Sequence, residues 1–192
     1  AEKLSFELAK PYLEAVGCGE ETLNKIYVLL LTTDVSPLDD PANPMMQMKA
    51  AYRFHYLGEH TKTHSLHLDN DLKILEKDKC LSTLCLLLHE ADIATSAGVT
   101  YVMAQYETSL LMQEFKGDSG RPSHLTNFIE QVCQMRFLSD AGQRLFASNM
   151  ARIYALAKHE EEEGDHPFPN PGQATFVLPH ARLGRDGKAS LH

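Results

Sequence analysis

Apolar residues return every third or fourth position along most of this chain, and nowhere do they alternate over a run long enough to make a half-buried strand. Such a pattern folds as helices packed on helices, so the expected class is all-α. Leu4, Leu8, Tyr12 and Ala15 predict a helix over residues 3 to 16, kinked at Pro11 and stopped by Gly17 and Gly19. The run Ile26 to Leu31 is apolar on all sides and reads as the centre of a buried helix from Glu20 to Thr33, with a strand as the rival reading.

Prolines and aspartates make residues 34 to 44 a loop, and a helix resumes at Met45. Leu66, Leu68, Leu72 and Leu75 predict another helix, and Leu81 to Ala94 a further one. Tyr101 to Phe115 places Val102, Tyr106 and Leu110 on one face, with Gly117 and Gly120 ending it. Two more helices, over 123 to 138 and 140 to 158, follow from Phe128, Val132 and Met135, then Phe146, Met150, Ile153 and Ala157. The expected architecture is a bundle of about eight helices over residues 1 to 159. Residues 160 to 192 open on a run of glutamates that opposes the helix macrodipole, continue through a Pro-rich stretch, and read as an irregular tail.

Composition narrows the function classes. With 192 residues, 43 % of them apolar, the chain has enough material for one core. A net charge of -8 gives no basic footprint for nucleic acid. The longest apolar runs are far short of the roughly 18 to 20 residues that span a bilayer. The opening residues lack the pattern of a secretory signal, and Ala1 in place of Met leaves room for a segment upstream. Cys18, Cys80, Cys85 and Cys133 are too sparse for a disulfide scaffold and lack C-x-x-C spacing, so buried thiols in the cytoplasm or another reducing compartment are expected.

Histidine carries the chemical signal: five of the ten lie between His55 and His89. His60 and His64 are four apart and would share a helix face, where two imidazoles converge on a metal ion or a phosphate. The alternative puts His55, His60 and His67 on a solvated surface. In Leu86-Leu87-Leu88-His89-Glu90-Ala91-Asp92-Ile93 an apolar helix ends by presenting a histidine and an acid three apart, a sensible ligand pair for a divalent ion. Capping or local backbone bonds near Thr95 and Ser96 are the other explanation for Asp92.

His89-Glu90-Ala91-Asp92-Ile93-Ala94 resembles the H-C-A-D-L-S segment of class I cyclic nucleotide phosphodiesterases, within the HD/PDEase superfamily. Leu31 to Ser36 is similar to that family's A-T-D-M-S, Met112 to Asp118 to its M-x-E-F helix, and Phe128-Ile129-Glu130 to its F-I-D. The resemblance covers roughly residues 4 to 157, carried by the order of the segments. It implies Asp92 and His89 as metal ligands for Zn, Mn, Mg or Fe, with His60, His64 and Glu90 in catalysis. Asp34, Ile93, Thr95 and Phe128 would contact the substrate, Phe128 by stacking on a base. The family's first ligands belong upstream of the matched helices, and Leu125 stands where its purine-reading glutamine belongs.

The expected function is therefore metal-dependent hydrolysis of a nucleotide-like phosphoester. A noncatalytic helical module of the same fold, binding a small phosphorylated ligand or a protein partner, is the alternative.

Overall fold

The computed structural model describes residues 2–36, 40, 42–58, 67–169, 182–183 and 189–190. The helices are α1 (Glu2–Ala15), α2 (Glu20–Leu31), α3 (Pro44–Tyr52), α4 (Lys79–Ala97), α5 (Tyr101–Lys116), α6 (Pro122–Gln131) and α7 (Asp140–Glu162). A 3-10 helix (Asn70–Glu76) precedes α4, and a π segment (Arg53–Leu57) continues α3. These make eight helices among the described residues, as the periodicity predicts. Beyond them, β1 (Arg182–Leu183) pairs antiparallel with β2 (Ala189–Ser190).

Helix boundaries follow from local chemistry. Asn43 accepts from the Met46 amide at 2.8 Å and Pro44 opens α3 with a fixed φ. Asp78 accepts from the Leu81 amide at 2.8 Å to start α4, and Thr100 caps α5 through the Met103 amide. Gly17, Gly58 and Gly117 follow α1, the π segment and α5 with φ of 90°, 65° and 64°, the left-handed conformation glycine adopts most easily.

α4 is the centre, packed against α2, α3, α5, α7 and the 3-10 helix. Its Leu81, Cys85, Leu86, Ile93, Ala94 and Ala97 share one core with Val28, Met45, Met48, Leu125, Ile129 and Ile153. No described helix is long and apolar enough to cross a membrane.

Three segments depart from the periodicity. α5 exposes Val102 and Leu110 and faces inward with Ala104, Thr108 and Ser109. Small residues let the chain approach closely: a Cβ on Gly120 would sit 2.8 Å from the Ser109 Cα. α6 stops at Gln131 rather than running to 138, because Gln134 and Met135 take left-handed φ of 54° and 58°. α7 continues through the glutamates to Glu162, since Glu161 accepts from the Thr126 hydroxyl at 2.9 Å and from Lys158 at 3.1 Å. The chain then returns to the body. Asp165 accepts from the Ser123 amide and hydroxyl at 2.8 and 2.7 Å, and the buried Phe168 donates its amide to the Gly120 carbonyl at 2.7 Å.

Candidate functional site

α4 carries the predicted string His89 to Thr95, and its two faces separate those residues. Leu84, Leu87, Leu88, Ala91, Asp92 and Thr95 are exposed, whereas Leu86, His89, Glu90, Ile93 and Ala94 are buried. The boundary between faces falls between His89 and Asp92, three residues apart.

His89 is fully enclosed, and neither ring nitrogen meets a hydrogen-bond partner among the described residues. Burial, with the nearby Lys49 ammonium adding to it, pushes the imidazole down to about 3. It is therefore neutral at ordinary pH and packed as a core residue. The expected metal ligand thus lies inside the core, whereas Asp92 is exposed.

Glu90 is also committed. Its Oε1 accepts from the backbone amides of Leu138 and of Ser139 (3.0 Å), and its Oε2 accepts from the Ser139 hydroxyl. The same hydroxyl accepts from the Gly142 amide at 2.9 Å, so the carboxylate sits at the positive end of α7. Gly142 is required there, because a Cβ would collide with Glu90 Oε2 and lie 2.8 Å from Phe137 Cβ. The anticipated catalytic carboxylate is a structural clamp. Across the same turn, the buried Lys49 of α3 donates to the Val132 carbonyl at 2.9 Å, and burial pushes its amine down to about 8. The Cys133 thiol, equally buried, is pushed up to about 12.

Of the expected substrate contacts, Ile93 is enclosed in the core, out of reach of a ligand. Thr95 donates its hydroxyl to the Asp92 carbonyl at 2.7 Å, bonding back onto its own helix. Asp34 accepts from the Ser36 amide and hydroxyl at 2.9 and 2.8 Å, closing the turn after α2, while its carbonyl accepts from the Met45 amide. Phe128 is half-buried. His60 and His64 lie outside the described residues. Among the described residues no three His, Cys, Asp or Glu side chains are grouped so as to hold a metal ion. Cys85 and Cys133 are buried as expected; Cys80, in the first turn of α4, is exposed, and Cys18, after α1, is half-buried.

A cavity of about 310 Å³ opens where the loop after α2, the end of α4, α5 and α6 meet. Its wall includes Val35, Ser96, Thr108, Leu111, Phe128 and Gln131. Of the four residues assigned to substrate by resemblance, Phe128 lines this space, and Asp34 and Thr95 each precede a lining residue in the chain. Thr108 and Gln131 carry no signal in the sequence, because residues on four separate segments share no spacing, and Ser96 is read there only as a partner for local backbone bonds. No family model matches the chain, and no curated protein and no solved structure matches it either.

Proposed function

We propose that this chain is a helical binding module whose ligand is a small, flat, nucleotide-like phosphoester seated in the cavity between α4, α5 and α6. The observation that carries the reading is the cavity itself. Its volume is at the small end of the roughly 300 to 1,000 Å³ typical of ligand sites, and its wall mixes apolar surface with a few polar groups. Phe128 offers a ring face, Leu111 an apolar wall, and Ser96, Thr108 and Gln131 hydrogen-bonding groups for a heterocycle's edge. The commitment of His89 and Glu90 to the fold favours binding over catalysis. The absence of a disulfide among the four cysteines supports a reducing compartment.

Thermal shift and calorimetry with AMP, 3′,5′-cyclic AMP and adenosine test this reading. Binding by the wild-type chain that disappears in Ser96→Phe, which fills the cavity, is expected; no binding at millimolar ligand, or unchanged binding by the variant, refutes it.

Hydrolysis is the second reading, favoured by Asp92. Its carboxylate is exposed, bonds to no side chain among the described residues, and lies one turn before Ser96. One described donor does not make a cation site, so this reading rests on His60 and His64. Zinc or manganese binding together with turnover of bis-p-nitrophenyl phosphate, both lost in Asp92→Ala, would support it; a protein that binds nucleotide without metal or turnover supports the module.

A further inference from the structure

α7 turns one line of side chains away from the core, Leu145, Asn149, Arg152 and Leu156. At about 100° per residue the four stay within an arc of about 60°, along about 16 Å of helix. Opposite the second half of this line, the turn before α5 and the first residues of α5 present Val99 and Val102. Leu145 and Leu156 are 64 and 38 % exposed, Val99 and Val102 47 and 63 %. Isolated exposed apolar side chains are ordinary; three around one groove, with a fourth in line, mark a contact surface.

The groove between these segments encloses about 280 Å³, with the buried Ile153 in its wall. Its width is fixed from within: the Asn149 side-chain amide donates to the Gly98 carbonyl at 3.0 Å, and a Cβ on Gly98 would lie 3.0 Å from Phe146 Cβ. Arg152 is the one charged side chain of that wall among the described residues, and no ion pair joins it to an acid among them. From Ala141 to Ala157, α7 carries Arg144 and Arg152 and no acid, although the whole chain has a net charge of -8. Glu160, the next acid on the line, lies about two turns beyond Arg152 and faces the Tyr101 hydroxyl. The first turn of α5, the positive end of that helix, adds the same sign as Arg152. An apolar groove whose one charge is an unpaired guanidinium calls for an occupant that is apolar and carries a carboxylate.

We propose that this groove docks an acidic, apolar segment of another protein, its apolar side chains against Val99, Val102 and Leu156 and an aspartate or glutamate on Arg152. Size argues for a chain rather than a small molecule. The groove falls below the roughly 300 Å³ at which ligand sites begin, and the apolar line continues past it to Leu145, about two turns before Arg152. Charge argues against a bilayer: anionic lipid is held by clusters of about four to eight cations, whereas α7 offers Arg144 and Arg152 over this stretch.

A fluorescein-labelled leucine–glutamate peptide of helical pattern, about four turns long and read by anisotropy against the full chain, is the probe. Its leucine–lysine counterpart reverses the charge. The glutamate peptide should bind and weaken with added salt, and the lysine peptide should not bind. Arg152→Glu should exchange that preference, losing about tenfold for the glutamate peptide, a change of about 1.4 kcal/mol, and gaining affinity for the lysine peptide. Val102→Ser/Leu156→Ser should lose about tenfold for the glutamate peptide. Arg144→Glu makes the same charge change off the line and should keep the wild-type affinity. Circular dichroism equal to wild type certifies each variant, and Arg152→Gln replaces Arg152→Glu if the reversal unfolds α7. The proposal is overturned if wild type binds neither peptide or both alike, if Arg152→Glu holds the glutamate peptide within twofold of wild type, or if Arg144→Glu weakens it equally. Sedimentation showing a dimer that Val102→Ser/Leu156→Ser abolishes would assign the groove to a second copy and overturn it too.

Discussion

His89→Leu should make this protein more stable, and more so as the solution is acidified. At neutral pH the imidazole is uncharged whether the chain is folded or not. The gain there comes from removing two ring nitrogens that meet no partner. An unsatisfied buried polar group costs about 1 to 3 kcal/mol, and leucine fills a similar volume. Below pH 6.5 a second contribution enters, because the folded imidazole is held down to about 3 while the unfolded one keeps its ordinary value. The unfolded chain takes up the proton first, so stability is full above pH 6.5 and drains away between pH 6.5 and about 3. At pH 5 the loss is about 1.5 pH units at 1.36 kcal/mol each, or about 2 kcal/mol. Urea unfolding at pH 7.5 and pH 5 should show the variant ahead by about 1 to 3 kcal/mol at the first and by about 2 kcal/mol more at the second. A variant that is less stable at both, with the same pH slope as wild type, would mean that the ring has a partner in solution, and the argument from an orphaned imidazole fails.

Glu90→Ala, which strands the Leu138 and Ser139 amides at the head of α7, should lose about 3 to 5 kcal/mol in the same urea titration. Gly142→Ala should lose about 1 to 3 kcal/mol, because its Cβ displaces the Glu90 carboxylate. Lys49 is held down to about 8 against 10.5 unfolded, so its share of stability rises with pH between about 8 and 10.5 and is flat below. Comparing wild type with Lys49→Met isolates that rise from the opposing titration of Cys85 and Cys133: the variant should gain relative stability as pH falls from 10.5 to 8, by up to about 3 kcal/mol before the lost bond to Val132 is counted.

The helices were legible because apolar residues return every third or fourth position and glycines close the runs, Gly17 after α1 and Gly117 after α5. Facing was harder to read. Leu4, Leu8 and Tyr12 have the spacing of a core stripe, yet α1 docks through Phe6, since periodicity tells which residues share a face and not what lies opposite it. The same limit governs α4. A spacing of three places His89 and Asp92 within about 60° of one another, and the edge of the core passes between them. Glu90's role depends on a turn almost fifty residues downstream, where a left-handed pair at Gln134 and Met135 brings Leu138 and Ser139 back to it. No local pattern announces such a contact.

The short connection from Val132 to Ser139 is gripped at both ends by buried ionisable side chains from different helices, Lys49 of α3 at its start and Glu90 of α4 at its finish. Neither α6 nor α7 can therefore peel away without first releasing a grip on the central layer. In native-state hydrogen exchange, the amides at the end of α6 and the beginning of α7 should open together with those of α4, at the free energy of global unfolding, as a single foldon.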